Sequence, residues 1–162
     1  MLSVDQARER IVASLQPLGG ETVGLADALG RVLAQDLSAR LTQPPVAVSA
    51  MDGYAVRVAD VTKVPTSLAV IGEAPAGGAF AGTVGAGQAV RIFTGGPLPR
   101  GADAVVIQED TERAGNSVTV KETAAPGANI RDAGIDFKAG QTLLARGRVL
   151  TARDIALAAA MN

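Results

Sequence analysis

The sequence Ala104-Val105-Val106-Ile107-Gln108 is followed, beyond the dipeptide Gly115-Asn116, by Val118-Thr119-Val120-Lys121-Glu122. Both runs are rich in β-branched residues, which favour strands, and Gly-Asn between two such runs is typical of a β-hairpin. Two runs of similar character precede them, at Ser67–Ile71 and Gln88–Phe93. Short strands separated by glycine- and proline-rich turns predict a compact barrel- or sandwich-like β unit.

Helical signals lie on both sides of this β-prone region. Ser3 begins an amphipathic helix predicted over residues 3–16, and Gln6 completes a capping box. Near the other end, Thr151 begins a second predicted helix, with Asp154 in the capping-box position. We therefore expect an α+β fold in which helical N- and C-terminal segments pack together, with a β-rich barrel- or sandwich-like domain inserted between them.

The expected domains follow from these two patterns. Residues 1–40 and 137–162 would form a discontinuous, helical and elongated N-terminal subdomain, and residues 41–136 would form the inserted β-rich domain. The chain has no alternation of strands and helices of the kind that a doubly wound α/β domain requires.

The composition limits the chemistry of the chain. Its 162 residues include no cysteine and no histidine, which excludes disulfides, thiolate or imidazole catalysis and metal sites built on these side chains. Any metal would be a hard cation such as Mg²⁺ with oxygen ligands. The 15 basic and 16 acidic residues form no basic block, so nucleic acid is not an expected partner. The sequence has neither the apolar run of a signal peptide nor an apolar run long enough to cross a bilayer. We therefore expect a cytoplasmic protein with no membrane partner.

Three glycine-bearing segments carry residues capable of chemistry, namely Ser49–Ala55, Arg91–Pro99 and Gly127–Phe137. On local features alone, they are interpreted as a tight turn, a strand-ending loop and a solvated loop with an Arg–Asp pair. The alternative hypothesis is a cleft in which Asp52 and Asp136 hold Mg²⁺ against a phosphate ligand, and exposed backbone amides of the second segment bind an anion.

In this order, the segments resemble the molybdopterin molybdenumtransferase family, the molybdenum-insertases whose animal relative forms the catalytic domain of gephyrin. Ser49–Ala55 matches the family signature S-A-M-D-G-Y-A, and Arg91–Pro99 resembles R-I-x-T-G-A-P-x-P, with Gly96 in place of the usual Ala. Gly101–Glu109 continues as G-A-D-A-V-V-x-x-E, and Asn129–Asp136 resembles N-[VI]-R-x-x-G-[ED]-D. The resemblance extends from the first helix to the last.

The resemblance implies a function. Enzymes of this family insert molybdate into adenylylated molybdopterin with release of AMP, in molybdenum cofactor biosynthesis, and they require Mg²⁺. Their subunits dimerise, and the substrate lies between the C-terminal α/β domain of one subunit and the N-terminal β domain of the other. By position, Asp52, Thr94 and Asp136 match residues of this cleft and are expected to be catalytic, with Asp52 and Asp136 as tentative ligands of Mg²⁺. The expected substrate-binding residues are Ser49, Met51, Gly53, Gly95 and Arg131.

Two departures from the family pattern remove polar groups near the expected cleft. Val46-Ala47-Val48 stands where aromatic and polar residues are usual, and Ile135 replaces a residue that is often Glu. Because the family's polypeptides are longer and their pterin-binding C-terminal domain has no counterpart here, we expect a homodimer that is inactive alone. The alternative within the family is a non-catalytic dimerisation or scaffold module. An unrelated small β-barrel carrier or ligand-binding domain is a weaker alternative.

Overall fold

The structure is a computed structural model that describes residues 2–16 and 18–161. The chain folds as two compact units, one of Met1–Leu37 with Thr142–Ala160 and the other of Ser38–Gln141 with Met161–Asn162. The α-helices are α1 (Val4–Ser14) and α2 (Ala152–Ala160). The strands are β1 (Leu37–Ser38), β2 (Val48–Ser49), β3 (Gly53–Val56), β4 (Thr66–Ala74), β5 (Gln88–Ile92), β6 (Ala104–Ile107), β7 (Thr111–Ala114), β8 (Ser117–Val120), β9 (Ile130–Arg131) and β10 (Thr142–Leu144).

Both helices of the first unit begin at the capping boxes that the sequence predicts. At α1, the hydroxyl of Ser3 accepts a hydrogen bond from the Gln6 amide, and the Gln6 side chain accepts one from the Ser3 amide. At α2, the Thr151 amide donates to the Asp154 carboxylate at 2.9 Å, and the Asp154 amide donates to the Thr151 hydroxyl at 3.4 Å. These bonds satisfy amides that have no partner within the helix.

The core of the first unit does not include α1. Its buried side chains are Ala28, Leu144 and Leu150, and half-buried residues of α2 pack against them. In α1 no residue is buried. The prediction of an α+β fold with helical N- and C-terminal segments packed together is therefore wrong. An apolar stripe shows that a helix is amphipathic but does not specify what covers the stripe. The fold is instead β-rich, with two α-helices among residues 2–16 and 18–161.

The second unit is built on a six-stranded sheet with the strand order β6-β3-β5-β4-β8-β7. All neighbours are antiparallel except β4 and β5, which run parallel. The strands predicted from the sequence lie in β4, β5, β6 and β8. The predicted hairpin turn is present, because Gly115, at a φ of 57°, and Asn116 join β7 to β8. The strand before the turn is β7, however, and not the run Ala104–Gln108, which forms β6 at the opposite edge of the sheet.

Strand β3 of this sheet is buried on both faces. In β3, Tyr54 and Val56 pack into one hydrophobic cluster and Ala55 into another, as the twofold alternation of side chains along a strand requires. All four residues of β3 are buried. The two hydrophobic clusters therefore lie on opposite faces of this strand.

Across residues 2–16 and 18–161, no helix combines the length and the apolar character that crossing a membrane requires.

Candidate functional site

The three motif segments meet at the short strand β2. Val48 pairs with Arg131 and Ser49 with Ile130 in the antiparallel β2–β9 ladder. On the other side, Val48 forms an isolated antiparallel bridge with Pro97. The segments around Ser49, Pro97 and Arg131 are therefore neighbours in space, although they are far apart in the chain.

A tight turn after β5 carries the Thr-Gly-Gly sequence. The Gly96 amide donates to the Phe93 carbonyl at 2.7 Å, and Gly95 has a φ of 79°. A positive φ at the third position is typical of a type II turn and favours glycine. The turn is bonded to β2, because Ser49 donates to the Gly96 carbonyl and accepts from the Gly95 amide, both at 2.9 Å.

Thr94, at the tip of this turn, binds the carboxylate of Asp52. Its backbone amide lies 2.7 Å and its hydroxyl 2.8 Å from Oδ1 of Asp52. The register of β3 on β5 brings them together, because Gly53 lies opposite Ile92 and the next residues on each side face one another. The Thr94 amide first, and then its hydroxyl, hold the pKa of Asp52 below its ordinary value. Desolvation opposes them with a smaller effect, and the charge of Arg91, which also lowers the pKa, contributes least. Asp52 is therefore an ionised carboxylate at neutral pH.

Arg91, a neighbour of this pair, is not among the site residues predicted from the sequence. Its guanidinium lies over the rings of Tyr54 and Phe93, at 5.2 and 4.8 Å from their centroids. It donates to the Gly53 carbonyl at 3.2 Å and to the Gln108 side chain at 2.6 Å. The signal available in the sequence is the spacing of Arg91 and Phe93, which puts both side chains on one face of a strand.

Asp136, Arg131 and Gly95 line an open groove of about 520 Å³ in the second unit. Its apolar wall includes Val46, Val48 and Ile135, the residues that depart from the family pattern, together with prolines. Asp52 is not among the residues that line the groove, although the turn residue Gly95 next to its partner Thr94 is. The structure thus places one predicted carboxylate in the groove and the other at the adjoining turn.

The remaining predicted substrate-binding residues differ in exposure. The Ser49 side chain is buried, and its hydroxyl donates to the Met51 carbonyl at 2.6 Å. Gly53 is buried within β3, whereas Met51 is 42% exposed. Ser49 and Gly53 therefore shape the loop from within, and Met51 faces outwards. Their roles towards a substrate remain predictions.

No three carboxylates converge on a common point among residues 2–16 and 18–161. Mg²⁺ does not require such a cluster, because it is often bound through one or two carboxylates with phosphate oxygens and water as the other ligands. Asp52 and Asp136 offer oxygen ligands of the kind that Mg²⁺ prefers, and of the two only Asp136 lines the groove.

Comparisons with known proteins relate this chain to molybdenum cofactor enzymes. Residues 2–162 match the family described as "MoeA N-terminal region (domain I and II)". The molybdopterin molybdenumtransferase of Haemophilus influenzae is 38% identical over 164 residues, which cover 100% of this chain and 40% of that protein. Molybdopterin molybdenumtransferase 2 of Mycobacterium tuberculosis is 40% identical over 97% of this chain and 40% of its own length.

A solved structure agrees with these relatives. The molybdopterin biosynthesis moeA protein of Pyrococcus horikoshii OT3 superimposes with a TM-score of 0.83 at 39% identity, over 87% of this chain and 38% of that one. The chain spans about two fifths of the length of the curated relatives it matches. With nearly every residue matched by the family and the fold shared, this chain belongs to the family of the MoeA N-terminal region.

Proposed function

We propose that this chain supplies the N-terminal, β-rich side of the catalytic cleft of a molybdenum-insertase. The reaction is the insertion of molybdate into adenylylated molybdopterin with release of AMP. The observation that carries the proposal is the Asp52–Thr94 pair, which holds an ionised carboxylate at the surface beside a groove containing Asp136 and Arg131. A family member with no use for this chemistry has no need of an oriented carboxylate at a glycine-rich turn.

Asp52 is assigned the role of an oriented anion. Both bonds from Thr94 reach Oδ1, and among the described residues no hydrogen bond is recorded to Oδ2. Oδ2 is thus the oxygen that would face a cation or a donor of the substrate, while Thr94 fixes its direction. A carboxylate held in this way needs no rearrangement when the substrate binds, which is the basis of electrostatic preorganisation.

Asp136 and Arg131 are assigned to the charged part of the substrate. Arg131 would pair with the phosphate of the adenylyl group, because a guanidinium matches the geometry of phosphate oxygens. Asp52 and Asp136 would each hold Mg²⁺ through one carboxylate oxygen, and the ion would neutralise phosphate charge when bound. The apolar wall of Val46, Val48 and Ile135 suits the uncharged, planar part of the substrate.

The test is a chimaera in which this chain replaces the aligned N-terminal segment of the Haemophilus influenzae relative. AMP release and molybdenum incorporation are measured with adenylylated molybdopterin, molybdate and Mg²⁺. We expect activity from the chimaera and none from the isolated chain.

In the chimaera, Asp52→Asn and Asp136→Asn should each lower kcat by about 100-fold, the scale for loss of an electrostatic group in an active site. Asp132→Asn, an exposed residue of the same loop as Asp136, is the matched control. Full activity of the Asp52→Asn chimaera would refute the assignment of Asp52.

A second candidate, a non-catalytic dimerisation or scaffold module, is favoured by α1. Ile11, Val12 and Leu15 on and next to this helix are 63%, 61% and 65% exposed, as expected of a surface that another chain covers. We propose a homodimer in either case. Light scattering should give twice the chain mass for the unaltered protein and the single mass for an Ile11→Asp and Leu15→Asp double variant. Dimerisation with an inactive chimaera would favour the scaffold.

A further inference from the structure

Arg91 is held in one orientation by two aromatic rings. It lies in β5 opposite Tyr54 of β3, and its guanidinium lies over both Tyr54 and Phe93. Cation–π contacts with two rings restrict the side chain and keep its charge close to the sheet. Its planar fork presents several donors in fixed directions, which the ammonium of lysine does not.

Two of these donors connect Arg91 to the segment that carries Asp52. Nη1 donates to the Gly53 carbonyl at 3.2 Å, and Nη2 donates to Oε1 of Gln108 at 2.6 Å. The backbone amide of Gln108 in turn donates to the Asp52 carbonyl at 3.0 Å. Two successive carbonyls, those of Asp52 and Gly53, are thus held either by Arg91 itself or by its partner Gln108.

Thr94 completes a closed network of contacts between Arg91 and the segment of Asp52 and Gly53. Thr94 follows Arg91 by three residues and binds the side chain of Asp52, while Arg91 binds the backbone of the next residue, Gly53. Gly53 packs closely on β6, because a Cβ at this position would collide with the Val106 carbonyl. A movement of Asp52 away from Thr94 would therefore also disturb the bonds of Arg91.

The charge of Arg91 is not used in an ion pair among the described residues, since the salt bridges recorded there do not include it. The two hydrogen-bond acceptors of Arg91 are neutral, and its positive charge also favours the ionised form of Asp52. A residue that served only for cation–π packing on the two rings would not need the two hydrogen bonds that the fork donates.

We propose that Arg91 is a positioning residue, which fixes the peptide of Asp52 and Gly53 relative to the Thr94 turn and so aims the Asp52 carboxylate. This inference deepens the proposed function and rests on it for its catalytic meaning. The geometric part can be tested without any catalysis.

The first experiment uses the ¹⁵N-labelled chain with Arg91→Met, which removes the donors and the charge. The Thr94 amide should lose its downfield proton shift, and its protection against hydrogen exchange should fall by about tenfold or more, the scale for a hydrogen bond to a charged group. The amides of Ala55 and Val105, in the same sheet, should keep their protection. Arg113→Met, at an exposed arginine of β7, should leave Thr94 unchanged.

Gln108→Ala and Arg91→Lys keep the proposal testable if Arg91→Met does not fold. Each removes part of the network, so each should give a smaller change at Thr94 than Arg91→Met. An unchanged Thr94 amide in a folded Arg91→Met or Arg91→Lys chain would overturn the proposal. Equal loss of protection at Thr94, Ala55 and Val105 would also overturn it, because that is the result expected of a residue that only stabilises the sheet.

The second experiment uses the chimaera with the relative's C-terminal domains. Arg91→Met should lower kcat by about 10-fold or more with little change in KM, because it misdirects a group without removing a substrate contact. If kcat were unchanged although the Thr94 amide is displaced, the geometric part of the proposal would stand. The claim that this positioning matters for catalysis would be overturned. Full activity of Asp52→Asn in the same chimaera would instead count against the proposed function itself.

Discussion

Thr94 donates both its backbone amide and its hydroxyl to a single carboxylate oxygen of Asp52, at 2.7 and 2.8 Å. Asp52 precedes β3 and Thr94 follows β5, so the pairing of these two strands is what brings them together. The two hydrogen bonds therefore depend on the correct pairing of strands in the second unit, and they fix the orientation of the candidate catalytic carboxylate.

Thr94→Ala should raise the pKa of Asp52 towards its ordinary value without restoring it fully. The backbone amide is the larger cause of the lowered pKa and survives the substitution, whereas the hydroxyl bond is lost. A ¹³C NMR titration of the Asp52 carboxyl carbon measures the change. Thr123→Ala, at an exposed threonine outside the turn, should leave the titration curve as it is. A curve for Thr94→Ala that coincides with that of the unaltered chain would show that the hydroxyl does not act on Asp52.

Asp154 should make the first unit sensitive to acid. The Arg148 side chain first, then the amide and hydroxyl of Thr151, lower the pKa of this carboxyl from 3.8 to about 2. Its ionised form therefore stabilises the fold above pH 3.8, and this stabilisation is lost as the pH falls from 3.8 through about 2. The difference in unfolding free energy between the unaltered chain and Asp154→Asn should be largest near neutral pH and shrink over that interval.

Urea denaturation at a series of pH values, followed by circular dichroism, measures the difference for Asp154→Asn. Asp132→Asn, at an exposed position, serves as the control for a lost carboxylate. A difference that stayed constant down to pH 2 would mean that the Asp154 carboxylate is not stabilised by its neighbours.

Gly53→Ala should destabilise the second unit and disturb the site together. The added Cβ would meet the carbonyl of Val106 across the β3–β6 ladder, so either the ladder must open or the strand must shift. Overpacking of this kind costs about 1–3 kcal/mol. Thermal or urea unfolding measures the loss, and the Thr94 amide shift shows whether the Asp52 bond is displaced. Gly19→Ala adds the same methyl where nothing lies within 4 Å, and it should unfold as the unaltered chain does.

Ile92→Ala should be among the more costly truncations in the chain. Ile92 is fully buried in the cluster that contains Ala55, Val90 and Val105, directly before the Phe93–Gly96 turn. The cavity should cost about 2–5 kcal/mol, whereas Ile92→Val should cost about 0.5–1.5 kcal/mol. Denaturant unfolding of both variants tests the order. Equal stability of the two variants would imply that the surrounding side chains collapse into the space.

The local elements could be predicted because they depend on residues close together in the chain. The capping boxes at Ser3 and Thr151 and the hairpin at Gly115-Asn116 each depend on two to four neighbouring residues, and all three are present. The predicted packing of the two helical ends was wrong for the complementary reason. The helical periodicity of α1 predicts the helix but not whether its apolar side chains find a partner in the same chain.

The sequence by itself determined the chemical limits of this protein, the turns and caps, and the ordered motifs that its family shares, since all of these depend on residue type and on close spacing. Only the tertiary structure decided that Asp52 accepts a hydrogen bond from Thr94, 42 residues away, and that Arg91 donates one to the carbonyl of Gly53. Such contacts depend on the order and the register of the strands. A shift of one residue in the register would turn every side chain of a strand to the opposite face of the sheet. In the register of β3 on β5, Gly53 lies opposite Ile92, and this places the Asp52 carboxylate at the turn that carries Thr94.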